Sequence, residues 1–228
     1  MKRALFIIIL FFIVSCGQKE IILSSKDVYN QGVKLLNDKK YYLAGEKFES
    51  IESNFIIDEY VNKSLILSAY SYYMAHKYND SMRIIELFKE RNIVDENMDY
   101  MDYLYILDLY RLSVSSFKSI ENTELAYTKS EEFLTKYDEN NKYINDIKEK
   151  YNLISDKLAT NHLNIAIYNI DINNILGALN HLNMIENEYK TNNTILAECY
   201  YLKIKIFEYL KIDEQVLLYQ NKLNSLKK

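Results

Sequence analysis

The amino-acid sequence repeats itself at an offset of 37 residues. Shifted by that distance, Val28, Gly32, Leu35, Tyr41, Ala44, Phe48 and Ile51 fall on Leu65, Ala69, Tyr72, Tyr78, Ser81, Ile85 and Phe88. In the first copy, Tyr41, Ala44, Phe48, Ile51 and Phe55 follow one another at steps of three, four, three and four, a single apolar stripe along a helix. Val28, Gly32 and Leu35 make a second stripe before it, across a polar break at 37–40. The pair reads as a helix–turn–helix hairpin with a small residue where the helices cross. Such a hairpin cannot bury its apolar face alone, so a chain that repeats it is committed to stacking its copies.

The remaining sequence keeps the pattern with modifications. With no proline and only four glycines among 228 residues, little interrupts long helices. Helices are expected over 26–37 and 41–54, with Ser24 and Asp27 as a capping box, and over 59–76 and 79–91. Asp95, Glu96, Asp99 and Asp102 suit the start of a fifth helix, since carboxylates in a first turn favour the helix dipole. Thr123, Ala126, Ser130, Phe133 and Tyr137 repeat the steps, but Thr123 lies 45 residues beyond Tyr78. The third unit therefore holds an insertion of about eight residues, expected between its helices. From Tyr143 through Ile147, Tyr151, Ile154, Leu158, His162 and Ile165 to Ile172 helical spacing is unbroken, one helix of about 30 residues and ~45 Å. Its second half doubles as the first helix of a fourth unit. Ala166 precedes Ile175 by nine residues, as Gly32 precedes Tyr41, and Ala178, Leu182, Ile185 and Tyr189 complete the stripe. A fifth pair fills 194–211 and 213–226. The expected fold class is all-α, a solenoid of about ten helices in five hairpins, with one long helix linking units three and four. Units one to three occupy 26–138; the long helix and units four and five occupy 139–228.

The first fifteen residues read as a signal peptide. Lys2 and Arg3 precede an apolar run from Ala4 to Val14, long enough for a signal core and too short to span a bilayer. The run ends Ile13-Val14-Ser15-Cys16, which resembles a bacterial lipobox, in which the Cys is acylated and becomes the mature N-terminus. The rival reading is an ordinary signal peptide or membrane anchor with a chance cysteine. Residues 16–25 would then be a lipidated tether, and more than one acyl chain on Cys16 would give stable anchoring. Gly17 stands where an Asp would signal inner-membrane retention in enteric-type sorting, which is compatible with the outer membrane. Loss of Lys2 and Arg3 leaves 26 basic against 32 acidic residues, a net charge of −6. That argues against a nucleic-acid partner, which needs a concentrated basic surface. Cys199, in an apolar run, reads as a buried small hydrophobe with no intrachain disulfide partner.

Little here resembles an active site. His76, His162 and His181 lack a second His or Cys at metal-ligand spacing, and there is no Gly-rich phosphate loop, so no catalytic residue, metal or other cofactor is expected. Stacked hairpins offer a surface instead. The first helix of each hairpin lines the concave side in this kind of array, so Tyr29, Val33, Ile66, Tyr70 and Tyr73 are the candidate peptide-binding positions. The alternative is that they pack against neighbouring hairpins.

The motif Tyr41-x-x-Ala44-x-x-x-Phe48, with Gly32 nine positions before it, resembles the tetratricopeptide repeat, although Ile51 and Phe88 stand where the generic repeat has Ala. The order of lipobox, two lengthened units, a third with an insertion, a fused long helix and a fifth pair resembles the BamD family of outer-membrane assembly lipoproteins. The stretches 29–55 and 156–189 carry this most clearly, the latter with an Asp156-x-Leu158-Ala159 lead-in; the family's prolines are absent, and its basic residue in the last motif is His181 here. The resemblance implies a lipid-anchored scaffold on the periplasmic face of the outer membrane. Its implied partners are a BamA-like barrel protein docked on the C-terminal units, other assembly lipoproteins, and unfolded barrel precursors met by the N-terminal groove. Another repeat lipoprotein, pilotin-like or a cell-wall coordination scaffold, is the alternative.

Overall fold

The computed structural model describes residues 24–55, 59–91, 95–115, 120–189 and 191–226; the expected signal peptide, Cys16 and most of the expected tether lie outside them. The described residues form ten helices and no strand: α1 (Ser25–Asn37), α2 (Tyr41–Asn54), α3 (Tyr60–Met74), α4 (Tyr78–Arg91), α5 (Met98–Ser115), α6 (Ile120–Lys136), α7 (Ile144–Asp171), α8 (Ile175–Glu188), α9 (Asn193–Leu210) and α10 (Asp213–Ser225). Consecutive helices pack as hairpins. Odd-numbered helices also touch the next odd-numbered helix, from α1 with α3 to α7 with α9, and so form the inner row of the array.

The ends of the helices show why one sequence pattern can be used repeatedly. The Ser24 hydroxyl accepts from the Asp27 N–H at 3.2 Å while the Asp27 carboxylate accepts from the Ser24 N–H, the capping box expected for α1. Four hairpins close on a residue of left-handed conformation two positions before the second helix: Lys39, His76, Asn173 and Lys211, all with φ near +58°. At each, the N–H of that residue bonds back three residues and the next N–H bonds back five, as from Lys39 to Leu36 and Lys40 to Leu35. None is glycine, so each turn carries a steric cost of roughly 1 kcal/mol that packing offsets. The acidic stretch divides its work. Asp95 and Glu96 precede α5, and Asp95 accepts from the Asn97 N–H at 2.8 Å. Asp102, a turn inside α5, takes Lys89 at 2.6 Å, Lys136 at 2.8 Å and the Tyr137 hydroxyl at 2.8 Å, tying α4, α5 and α6 together.

Close approach at small residues sets the hairpin geometry. A Cβ on Gly32 would lie 2.6 Å from the Phe48 ring, and one on Gly45 would lie 2.9 Å from Tyr72. Ala69 and Ala166 hold the position of Gly32, and Ser81, Ala126 and Ala178 hold that of Ala44, all with no exposed surface. Above these crossings Phe48, Ile51, Ile85, Phe88, Phe133, Leu182 and Ile185 are buried, as the marker stripes require. The core is not one mass. It falls into a cluster spanning α1–α5, two smaller ones where α5 and α6 meet the first half of α7, and a cluster of α7–α10. The eight extra residues of unit three lengthen its helices more than its link. The α5 helix has 18 residues against 15 in α3, and Thr123 is the fourth residue of α6, whereas Tyr78 is the first of α4. The long helix α7 has 28 residues, close to the length read from its stripe.

Polar groups are built into this core. Asp156 of α7 accepts from the Thr191 hydroxyl at 2.7 Å and from the Asn192 N–H and side-chain amide at 2.9 and 2.8 Å; Asn192 in turn caps α9. This is the physical content of the Asp156-x-Leu158-Ala159 lead-in. Lys203 of α9 is fully buried, with its ammonium on Asn183 at 2.7 Å, Glu186 at 2.5 Å and the Tyr219 hydroxyl at 3.2 Å. Asp108 of α5 has no exposed surface, and neither carboxylate oxygen has a hydrogen-bond partner; it lies beside Ser81 of α4. Burial pushes its carboxyl up to about 8, partly offset by Ser81.

Two outcomes follow from this packing. Gly32→Ala must displace the Phe48 ring and should lower stability by ~1–3 kcal/mol in urea unfolding, with α-helical circular dichroism retained. Asp108 is protonated when folded and ionised when unfolded between about pH 4 and 8, so its contribution to stability is complete below pH 4 and is lost as pH rises through 8. Asp108→Asn should flatten that decline, read as the slope of unfolding free energy against pH, by up to ~1.4 kcal/mol per unit.

Candidate functional site

The inner row of odd-numbered helices carries a continuous series of tyrosines across its N-terminal half. Of the expected groove residues, Tyr29 is half-buried, its ring 5.6 Å from Phe48 and 5.1 Å from Tyr60. Ile66 and Tyr73 pack against the same first core cluster, while Val33 and Tyr70 are half-buried on the surfaces of α1 and α3. The structure thus brings Tyr29, Ile66 and Tyr73 to the core with one side and leaves each part-exposed. Tyr73 also meets the Tyr78 ring at 5.9 Å and lies beside the Arg111 guanidinium.

Three tyrosines outside the expected groove positions extend this series. Tyr103 of α5 stacks on Tyr143 at 4.2 Å and 11°, with Tyr100 6.0 Å from Tyr143. The Tyr103 hydroxyl donates to Asp146 at 3.0 Å. Burial, with the Asp146 charge, raises the Tyr103 phenol; burial, with Tyr143 and Tyr70 nearby, raises that of Tyr100. Both phenols stay neutral and able to donate near neutral pH. A signal was present: Tyr100 and Tyr103 repeat on α5 the three-residue spacing of Tyr70 and Tyr73 on α3. The result is a shallow surface of aromatic faces and phenol hydroxyls, suited to an extended segment whose backbone needs hydrogen bonds.

The C-terminal half differs in chemistry. Between α7 and α9 lies an open cavity of about 440 Å³ walled by Ile167, Ile170, Ile175, Leu202, Ile206 and Tyr209, with Asp171 and Lys205 at its polar edge. On the helices that form it, Tyr168, Ile172, Leu176 and Tyr209 are 63%, 53%, 72% and 68% exposed. The last helix also carries exposed apolar side chains, Leu217 and Leu218. A terminal repeat usually needs a polar outer face for solubility, so an apolar one is a candidate protein-binding surface.

The histidines are arranged otherwise than their sequence spacing suggested. His162 and His181, nineteen residues apart, meet across the α7–α8 hairpin with Nδ1 atoms 2.8 Å apart, and His162 Nε2 lies 3.2 Å from the Tyr189 hydroxyl. His76 sits at the turn after α3, its Nδ1 2.8 Å from the Tyr78 hydroxyl. Cys199 is buried and hydrogen-bonded to the Leu182 carbonyl, and burial pushes its thiol up to about 12, which makes it unreactive. Among the described residues no group of three or more His, Cys, Asp or Glu side chains could hold a metal, and no helix is long and apolar enough to cross a membrane.

Comparison with known proteins agrees with this architecture. Residues 23–221 match the sequence profile of the YfiO family, described as outer membrane lipoprotein. The chain is 27% identical over 172 residues to the outer membrane protein assembly factor BamD of Rickettsia prowazekii, covering 75% of this chain and 68% of that protein. It is 25% identical over 204 residues to BamD of Neisseria gonorrhoeae, covering 85% and 75% respectively. The profile match spans both surfaces and the long helix between them, and the chain belongs to the YfiO family of outer membrane lipoproteins, the BamD-type assembly lipoproteins that its repeat order resembles.

Proposed function

We propose that this chain is a lipid-anchored scaffold subunit of the machinery that assembles β-barrel proteins into the outer membrane. The family match supports a role as an assembly factor. The observation that carries the finer reading is the division of one array into two surfaces of different chemistry. Tyrosine rings and hydroxyls on α3, α5 and the start of α7 suit extended, unfolded barrel precursors, which present alternating side chains and unpaired backbone. The apolar surface on α7, α9 and α10 suits a folded partner, a BamA-like barrel protein with its accessory lipoproteins. Acyl chains on Cys16 would hold the array at the periplasmic face of the membrane. The work assigned is binding and positioning; no chemical step is assigned to any residue.

Purification of the full-length lipoprotein from detergent-solubilised envelopes tests the reading. A BamA-like barrel protein should co-purify; recovery of secretin subunits in its place would overturn the proposal in favour of a pilotin. Leu176→Glu and Tyr209→Glu change exposed side chains, so they should leave thermal unfolding unchanged while reducing partner retention at least ~tenfold. A photo-crosslinker at Tyr70 or Tyr103 should label barrel precursors, and one at Leu217 should label the folded partner. Cys16→Ser should abolish labelling by a fatty-acid probe and remove the protein from the outer-membrane fraction.

A further inference from the structure

We infer that the His162–His181 pair is an acid-sensitive latch that fastens α8, the second helix of the fourth unit, to the long helix α7. This goes beyond the assembly reading and does not depend on it. Two imidazole Nδ1 atoms 2.8 Å apart need one donor and one acceptor, so the contact holds a single proton between them. With His162 and His181 both cationic, two donors would face each other and the contact is lost. His162 is also 5% exposed, on the core stripe of α7. Its ring stacks on Tyr189 at 5.3 Å and 27°, and Tyr189 meets Tyr127 of α6 at 5.5 Å. The Tyr127 hydroxyl donates to the Glu188 carbonyl at 2.9 Å and accepts from Tyr151 at 2.8 Å. The pair therefore sits at the joint of α6, α7 and α8.

The groups around the pair do little to favour a cation. Burial is the main opponent of a charge on His162, His181 of α8 adds to it and Glu188 favours the charge; the sum holds His162 below the ordinary imidazole range. Tyr189 and, from α6, Tyr127 are neutral phenols, raised by burial, and Glu124 of α6 acts on Tyr189. From α7, Asp156 is committed to Thr191 and Asn192. From α9, Cys199 packs in the same apolar cluster as Leu163, and beyond it the charge of Lys203 is matched by Glu186. A folded-state His that resists protonation contributes stability that is complete above about pH 6.5, where the opened state begins to take up the proton, and is lost as pH falls from there through the lower midpoint of the folded state.

The test uses the full-length lipoprotein in detergent. Hydrogen exchange of α8 is referred to α2 of the same molecule, to cancel the intrinsic pH dependence. Between pH 7.5 and 5.5 the relative protection of α8 should fall by roughly tenfold for each unit by which the pair resists protonation. His162→Gln should abolish that fall, and His181→Gln should reduce it. Imidazole NMR supplies a second readout, which requires only the tolerant His181→Gln variant to fold. Removing the like charge of His181 should raise the midpoint of His162, which a merely space-filling role would not do. Unchanged relative protection in acid, an acid response that survives His162→Gln, or a His162 midpoint unmoved in His181→Gln overturns the proposal.

Discussion

One helix is packed into two places at once, and the array depends on it. The first half of α7 supplies Ile147 to the cluster of Ile106 and Phe133, and Ile154 and Leu158 to that of Leu109 and Ala126. Its second half supplies Ala159, Leu163 and Ala166 to the cluster of the last two units. Independent hairpins would need a loop there, with backbone groups to satisfy and room to pivot. Continuous helix satisfies its own backbone and fixes the rotation between the halves by the pitch of the α-helix. The tyrosine surface and the apolar surface therefore keep a fixed relation.

Around that spine, the polar groups act as alignment devices. Asp156 reaches from α7 to the start of α9, and Asp102 joins α4, α5 and α6. Burial opposes ionisation in both, yet Thr191 and Asn192 in the first and the Lys136 and Lys89 ammonium groups in the second hold the carboxyls below the ordinary range. Glu186 does the same between α8, α9 and α10, with Lys203 and Lys222. An apolar stripe alone tolerates some sliding along its neighbour; a half-buried carboxylate with several fixed donors does not. Asp108 is the exception, a carboxyl held neutral by burial beside Ser81, with no hydrogen-bond partner to align.

Much of this was legible because repeats make the sequence compare itself. The 37-residue offset located both helices of units one and two, and the unbroken stripe from Tyr143 to Ile172 located α7. Gly32 was readable as a crossing because it repeats as Ala69; Gly45, which also lies close to a ring, that of Tyr72, repeats as Met82 and gave no signal. The His162–His181 contact was hidden for a different reason. Spacings of three or four residues reveal partners on one helix, while residues nineteen apart on facing helices meet only once the crossing is known. The Tyr100–Tyr103–Tyr143 cluster was missed likewise, since it joins two helices across the insertion that breaks the period.

The division of the core into successive clusters has a mechanical consequence. Most contacts join neighbours in the chain, so no distant segments must find one another before a unit can form, and assembly can start at several points and spread. Disassembly runs the same way: a hairpin at either end can come apart while the rest stands. The exception is the stretch where clusters share α7. Pulled from its two ends, such a molecule would shed its outer hairpins one after another and resist longest in the middle, where three clusters are threaded on one continuous rod.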